Sequence, residues 1–444
     1  MTHSKFILRG QVLSFCGDPF VVDPEAAVEF SSDGAVLIAD GVIEQVGSAQ
    51  SIVDNNPQVP VERYQDDLIM AGFVDCHVHY PQHEIIASYG EQLLEWLNKY
   101  TFPAELKFGD PDYARQTAEF FLDECLRNGT TTASVYATVH PESVDALFAA
   151  GAARGMCLAT GKVMMDRNAP AGLTDTPQSG YDQSQRLIER WHARGRLRYA
   201  ITPRFAVTST PEQLEAAGAL WQQHPTTLMQ THISESLNEI ALIRELFAQD
   251  VDYFSVYERF GLVGRGANFG HAVHLTDREQ DAFRATGSGI SHCPTSNLFL
   301  GSGLFNMHDL RQGAHDIPVG LATDIGGGSS LSMLQTMRAS YEICRLQSYN
   351  LHPAKAFYLA TLGSADVMQI GHRVGNIKPG YDADIIVIDL QSTAAIANRM
   401  KNAASLWEAL FVQMIMADDR AIRATYINGC LHVPGAKPWA QGAS

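Results

Sequence analysis

Eight short β-rich segments alternate with longer amphipathic segments through the middle of this 444-residue chain. One of the intervening segments, DYARQTAEFFLDECLRNG, has apolar residues three and four apart and ends at Gly129, which is typical of a helix with a glycine stop. Regular alternation of strands and helices indicates a parallel sheet, and eight repeats predict an α/β fold of the (β/α)8 TIM-barrel type. The eight strand candidates are AGFVDCHVH, TTTASVYATVH, MCLATGKVMMD, LRYAITPRFA, TTLMQTHISE, ANFGHAVHL, GSGISHCP and IPVGLATDIG.

The two ends of the chain have a different pattern, with strands and tight-turn signals in place of the alternation. The turn signals are Asp40-Gly41 near the start and Asn428-Gly429 near the finish. We therefore predict that the termini form one small β-sandwich domain, made of residues 1–70 and 374–444, beside a barrel of residues 71–373.

Charge and cysteine content exclude several classes of function. The formal net charge of −17 disfavours nucleic acid as a partner and favours a small neutral or cationic ligand. The first residues, MTHSKFILRGQVLSF, lack the apolar core of a signal peptide, and no apolar run approaches the length of a membrane span, so we expect a cytoplasmic protein without a membrane partner. Seven scattered cysteines without a CxxC pair argue against a disulfide framework and a thiolate zinc site.

The stretch VDCHVHYPQHE contains three histidines, two of which suit a shared metal ion. His77 and His79 are two apart on a predicted strand, so both side chains point to the same face. His83 could join His79 only in a helix, which Pro81 disfavours. A solvated pair of histidines at a strand end is the alternative interpretation.

Polar residues at other strand ends strengthen the metal interpretation, because the carboxyl ends of barrel strands gather at one mouth. Three imidazoles and a carboxylate suit a catalytic Zn(II) ion with one position left for water. Individually, a core histidine, a carboxylate in a first helical turn and a helix N-cap would explain the same residues. The candidates are His232 and Glu235 in THISE, His271 and His274 in GHAVH, and Asp324 in LATDIGGG.

Segments spread over nearly the whole chain resemble the amidohydrolase superfamily and, within it, the guanine deaminases. They include GFVDCHVHYPQ, YGEQLLEWLNKYTFP, GKVMMDRNAP, ITPRFA, HCPTSNLFLGSGLF and GNIKPGYDADIIVID. GHAVHL and TLGSA depart from the family pattern, but neither departure removes a presumed ligand. The resemblance implies zinc-dependent hydrolysis of guanine to xanthine and ammonia in purine catabolism, by a homodimer with one Zn(II) per subunit. A single metal is also implied because ITPRFA lacks the lysine that binuclear relatives carry there.

Residue chemistry and the resemblance together suggest roles for individual residues. Glu235, His271 and Asp324 would be catalytic, with Asp324 accepting a proton from the attacking water, Glu235 carrying one to ring N3 and His271 orienting the nucleophile. The implied metal ligands are His77, His79, His232, Asp324 and, beside the metal, His271. The implied substrate-binding residues are His79, Gln82, Arg204, Phe205, His232, Glu235 and Asp324.

Two other functions stay open. Another aminohydrolase or chlorohydrolase could act on cytosine, an adenosine derivative or a triazine, although Gln82 and Arg204 suit a purine edge better. A scaffold with a structural zinc could keep the ligands, although it would not need Glu235 or His271. Deaminases with an H-x-E and P-C-x-x-C signature are excluded, because SHCPTSN has a single cysteine. Cys293 also lacks a context that would make it a nucleophile.

Overall fold

A computed structural model describes residues 5–89, 92–311 and 317–432 of the chain. The predicted outer ends of the small domain, residues 1–4 and 433–444, and Gly90 and Glu91 of the YGEQLLEW segment lie outside the described residues. The strands are β1 (Phe6–Phe15), β2 (Val28–Ala39), β3 (Val42–Ser48), β4 (Val61–Ala71), β5 (Phe73–His79), β6 (Thr130–Tyr136), β7 (Cys157–Gly161), β8 (Val163–Met164), β9 (Leu197–Pro203), β10 (Leu228–Ile233), β11 (Ala267–His271), β12 (Gly289–His292), β13 (Val319–Leu321), β14 (Ile385–Ile388), β15 (Ile422–Ile427) and β16 (Cys430–His432). The α-helices are α1 (Ala49–Asn55), α2 (Leu93–Trp96), α3 (Phe102–Glu105), α4 (Pro111–Arg127), α5 (Pro141–Arg154), α6 (Pro177–Trp191), α7 (Pro211–Gln223), α8 (Leu237–Leu246), α9 (Tyr253–Arg259), α10 (Asp277–Thr286), α11 (Pro294–Phe299), α12 (Met307–Arg311), α13 (Met333–Leu346), α14 (Pro353–Tyr358), α15 (Ser364–Val367), α16 (Ala394–Met400) and α17 (Leu406–Met416).

The middle of the chain forms a nearly closed parallel barrel. Its strands follow the order β13-β12-β11-β10-β9-β7-β6-β5, and the short β8 pairs with β9. The first and last strands meet where the backbone N–H of Asp324 donates to the carbonyl of His77 at 3.0 Å. Each of the eight predicted segments contains one strand of this order, and the third also contains β8, so the TIM-barrel prediction is confirmed.

The helices between the strands follow the local sequence signals. The predicted helix after β5 is α4, whose N-cap Asp110 accepts hydrogen bonds from the backbone N–H groups of Asp112 and Tyr113. Gly129 follows the helix with φ +78°, a conformation that glycine adopts readily. The predicted stop is therefore where the chain turns into β6.

Strands from both termini form one seven-stranded mixed sheet in the order β16-β15-β14-β4-β1-β2-β3. The turns Asp40-Gly41 and Asn428-Gly429 join the predicted hairpins, and all four residues have positive φ. Leu8, Val36 and Ile385, from three strands of this sheet, share a buried core separate from the barrel core. The prediction of a small domain built from both termini is confirmed, whereas its boundaries at residues 70/71 and 373/374 stay predictions.

Among the helices in the described ranges, none is long and apolar enough to cross a membrane.

Candidate metal centre and active site

The carboxyl ends of the barrel strands bring the predicted metal ligands together in the core. The Nε2 atoms of His77 and His79 lie 3.3 and 3.4 Å from Oδ1 of Asp324. Nε2 of His232, near the end of β10, lies 3.1 Å from Nε2 of His79. All four side chains are buried, so their ring nitrogens and carboxylate oxygens share one enclosed space.

A hydrogen bond fixes the ring of His232 so that the lone pair of its Nε2 atom points into this space. Nδ1 of His232 lies 2.6 Å from the carbonyl oxygen of Arg204, so Nδ1 carries the proton and donates it. Nε2 is then unprotonated, and it faces Nε2 of His79. Burial lowers the pKa of both His79 and His232 well below the usual value, so both rings are neutral, as metal ligands must be.

Unpartnered nitrogen atoms make the space between these side chains suitable for a cation. Within the described residues, neither ring nitrogen of His77 has a hydrogen-bond partner, although the side chain is fully buried. Buried polar atoms without partners are rare in native proteins, and an ion that accepts their lone pairs resolves the deficit. Two overlapping groups have ligand atoms within 4.8 Å of one another, namely His77, His79 and His232, and His77, His271, Cys293 and Asp324.

Cys293 corrects one expectation, because the sequence indicated that no thiol converges on the site. Its Sγ belongs to the second group above. Burial raises the pKa of the Cys293 thiol well above its usual value, and Sγ donates to the carbonyl of Ser291 at 3.3 Å. The group is therefore a neutral thiol, and imidazoles and a carboxylate remain the best donors for Zn(II).

Glu235 and His271 form a second polar pair beside the ligands. Oε2 of Glu235 lies 3.4 Å from Nε2 of His271, and the hydroxyl of Ser302 donates to Oε1 of Glu235 at 3.0 Å. Burial raises the pKa of Glu235 to about 7, so this carboxyl group can hold or release a proton near neutral pH. Nδ1 of His271 lies 2.9 Å from Oδ1 of Asn297, which orients the ring toward the Glu235 and Asp324 carboxylates.

The strand ends also have unusual backbone geometry. His271 and Asp324 adopt φ values of +71° and +48°, in the left-handed region that residues other than glycine seldom occupy. This geometry turns the chain at the mouth of the barrel and leaves both side chains facing the shared space.

A small cavity opens beside these groups and is lined by polar and apolar side chains together. Leu93, Trp96 and Leu97, from α2 and the π-helical turn after it, form an apolar wall. All seven residues predicted to bind substrate line the cavity, namely His79, Gln82, Arg204, Phe205, His232, Glu235 and Asp324.

Two histidines lie outside this cavity, namely His83, which the sequence set apart, and His274, which the sequence offered as a candidate. Nδ1 of His83 lies 3.3 Å from the carbonyl of Tyr80, and its ring contacts Phe120. His274 does not reach the ligand group, because Nε2 donates to the carbonyl of Ser302 at 2.6 Å.

Comparison with known proteins places the chain in a family. The amidohydrolase family profile matches residues 68–431. The chain belongs to the amidohydrolase family. It is 48% identical to the guanine deaminase of Escherichia coli (strain K12) over 407 residues, which cover 91% of this chain and 92% of that protein.

Two solved structures are also similar to this amidohydrolase. The structure of E. coli guanine deaminase superposes with a TM-score of 0.93 at 46% identity, covering 96% of this chain and 99% of that one. A guanine deaminase from C. acetobutylicum with guanine bound in its active site gives a TM-score of 0.87 at 28% identity, covering 96% of this chain and 100% of that one.

Among the polar residues near the site that the sequence interpretation missed, one pairs with Arg204. Glu105, at the end of α3, is fully buried, and both of its carboxylate oxygens accept from Nη1 of Arg204, at 2.7 and 2.9 Å. No spacing rule indicates it, because it follows the cavity wall in sequence without any motif. Electrostatics could have indicated that such a residue exists, because an arginine predicted to lie in a buried site needs a carboxylate partner.

Proposed function

We propose that this amidohydrolase is a zinc-dependent guanine deaminase that converts guanine and water to xanthine and ammonia. The observation that carries the proposal is the position of Gln82 and Arg204, which line the same cavity as the convergent histidines and Asp324. An amide and a guanidinium suit the polar edges of a purine, and the ligand group lies beside them. The 48% identity to a guanine deaminase over most of the chain supports the same substrate.

His77, His79, His232 and Asp324 would hold the Zn(II) ion, one per chain, with His271 beside it. Bound zinc supplies a water of lowered pKa, and so a nucleophile near neutral pH. The neutral, buried imidazoles of the three histidines suit this ligand role.

Three side chains are arranged to move protons during attack on C2 of guanine. Asp324 accepts a proton from the attacking water, and the ring of His271, held by Asn297, orients that water. Glu235, whose pKa burial raises to about 7, delivers a proton to N3 of the ring. Asp324 then gives its proton to the exocyclic nitrogen and the C2 hydroxyl returns a proton to Glu235, so the C2–N bond breaks, ammonia leaves and the C2 carbonyl of xanthine forms.

Recognition depends on the walls of the cavity. Gln82 and Arg204 would contact the polar edge of guanine, and the ring of Phe205 lies where it can pack against the purine. A site that uses buried polar groups in this way rejects purines that leave those groups unpaired.

The proposal includes, as predictions, the homodimer and the place in purine catabolism that the resemblance implies. It also includes the cytoplasmic location expected from the sequence. Size-exclusion chromatography with light scattering tests the homodimer directly.

The function is tested by incubating the purified, zinc-loaded protein with guanine, adenine or cytosine. Xanthine formation is followed by absorbance and ammonia by a coupled assay. We expect turnover of guanine with one ammonia released per xanthine, and little reaction with the other two bases. Hydrolysis of a different base would contradict the substrate assignment and leave the hydrolase assignment intact, whereas no reaction with any base would favour the scaffold alternative.

A further inference from the structure

The carboxylate of Glu105 contacts Gln82 and Arg204, the two side chains that we propose to recognise the purine by hydrogen bonding. It comes from α3, whereas Gln82 follows β5 and Arg204 follows β9. Oε1 of Glu105 accepts from Nε2 of Gln82 at 3.4 Å and from Nη1 of Arg204 at 2.7 Å. Glu105 is fully buried and is not among the residues that line the cavity, so it acts on a ligand only through these two neighbours.

This contact fixes which atom of Gln82 can meet a ligand. An ionised carboxylate only accepts hydrogen bonds, so the amide nitrogen of Gln82 faces Glu105 and the amide oxygen is left for the cavity. The reverse orientation would place two acceptors together. Gly326 makes room for this arrangement, because a Cβ atom at that position would clash with the Gln82 side chain, including its Oε1.

The same carboxylate fixes the guanidinium of Arg204. Both oxygens of Glu105 accept from a single nitrogen of the guanidinium group, Nη1. The other two guanidinium nitrogens therefore do not bind this carboxylate. The ring of Phe102 lies 5.8 Å from the guanidinium carbon and limits its movement on another side. Arginine only donates hydrogen bonds, so Arg204 offers donors to the cavity.

We propose that Glu105 is a positioning residue that sets the hydrogen-bond polarity of the cavity, with an acceptor at Gln82 and donors at Arg204. This inference rests on the proposed function and deepens it. A ligand must then present a donor to Gln82 and an acceptor to Arg204. The edge of guanine that carries N1–H and O6 meets this requirement, whereas a 6-aminopurine carries an acceptor at N1 and a donor at position 6.

The test compares guanine with 2,6-diaminopurine, which has the same 2-amino leaving group but the opposite polarity at N1 and position 6. Glu105→Gln keeps the shape of the side chain, and its amide can also donate to Gln82, so the Gln82 amide is free to turn over. The matched control is Glu95→Gln, an exposed position ten residues earlier in the same helical segment. For each variant, kcat and KM are measured with both substrates, together with zinc content and Tm.

We expect Glu105→Gln to raise KM for guanine roughly 10- to 100-fold, with a smaller loss in kcat. The reason is that the charged hydrogen bonds that hold Gln82 and Arg204 in place are lost. The ratio of kcat/KM for guanine to that for 2,6-diaminopurine should fall by a similar factor. Glu95→Gln should change neither value. If Glu105→Gln does not fold, Glu105→Asp keeps the counter-charge of Arg204 but is too short to hold both side chains, and the same fall in the ratio is expected.

An equal loss of kcat/KM for both substrates, with the ratio unchanged, would show that Glu105 only supports the fold and would overturn this inference alone. A wild-type protein that does not deaminate guanine would instead overturn the proposed function, and the inference with it.

Discussion

Glu235 differs from the other carboxylates of the site because burial raises its pKa to about 7 while the pKa of Asp324 is lowered. Burial alone would raise the pKa of Asp324 as well, but His77 and His271 stabilise its charged form. One carboxyl group is therefore ionised and can accept a proton, and the other can hold one. Such a pair suits a reaction that takes a proton from water and delivers a proton to nitrogen.

Glu235→Gln should keep zinc but lose roughly 100- to 10,000-fold in kcat, because the amide fills the same space and cannot transfer a proton. Zinc content by elemental analysis and kcat with guanine check this expectation. The exposed Glu245→Gln is the matched control and should behave like the wild type. Parallel loss of zinc and Tm in Glu235→Gln would make Glu235 a structural residue.

Gln82→Ala should lower kcat/KM for guanine roughly 10-fold or more and leave Tm within error, since Gln82 lines the cavity and removing it leaves a polar group of the substrate unpaired. Steady-state kinetics and thermal unfolding measure both effects, with the exposed Gln178→Ala as control. An unchanged kcat/KM would remove Gln82 from the recognition set.

At the residue scale, the sequence predicted which side chains at strand ends lie in the site. It did not predict the residues that hydrogen-bond to those side chains. The alternation rule placed His77 and His79 on one face without any structure. Glu105, Asn297 and Ser302 were missed, because they are brought to the site by tertiary packing and stand in no fixed spacing to the residues that they hold.

At the scale of elements, close contact between two barrel strands controls the ring of His77. Gly270 lies on β11, and a Cβ atom at this position would lie 2.5 Å from Cε1 of His77 on β5. The space beside this proposed ligand exists because Gly270 has no side chain. The sequence does not predict this role of Gly270, because the contact joins strands that are far apart in the chain.

Gly270→Ala should lower zinc affinity roughly 10- to 100-fold, because the added methyl group displaces the His77 ring from its ligand position. Competition with a chromophoric chelator measures the affinity, and circular dichroism checks that the barrel still forms. Gly47→Ala is the control, since its nearest neighbour would lie 3.9 Å away. Zinc affinity equal to that of the wild type would show that the ring can shift without cost.

The strand and helix order was predictable because hydrophobic periodicity depends on local sequence. The left-handed backbone at His271 and Asp324 was not, because only the packing of the barrel mouth imposes it on residues that do not favour it.

At the scale of the whole molecule, a nearly buried ion pair joins the barrel to the terminal sheet. Arg196 precedes β9 of the barrel, and its Nη1 donates to Oδ1 of Asp384, just before β14, at 2.9 Å. The second Asp384 oxygen accepts from Nη2, and Asp382 adds a contact to Nε at 3.1 Å. The sequence predicted that the termini share a domain, but it could not predict this connection, because its partners are 188 positions apart.

Asp384→Ala should lower the free energy of unfolding by about 3–5 kcal/mol, because it leaves the Arg196 charge without its main partner. Urea denaturation measures the change, and kcat per folded molecule should stay near the wild-type value. Glu342→Ala removes an exposed ion pair with Arg338 and should cost no more than about 1 kcal/mol. A loss for Asp384→Ala as small as that of the control would mean that the connection contributes little to stability.

The most direct test of the account is a zinc titration of the metal-free protein during guanine deamination. We expect no turnover without metal, a linear rise in xanthine formation up to one zinc per chain, and no further rise beyond that ratio. Full activity in the metal-free protein, or a rise that continues to two zinc ions per chain, would contradict the proposed mononuclear zinc site.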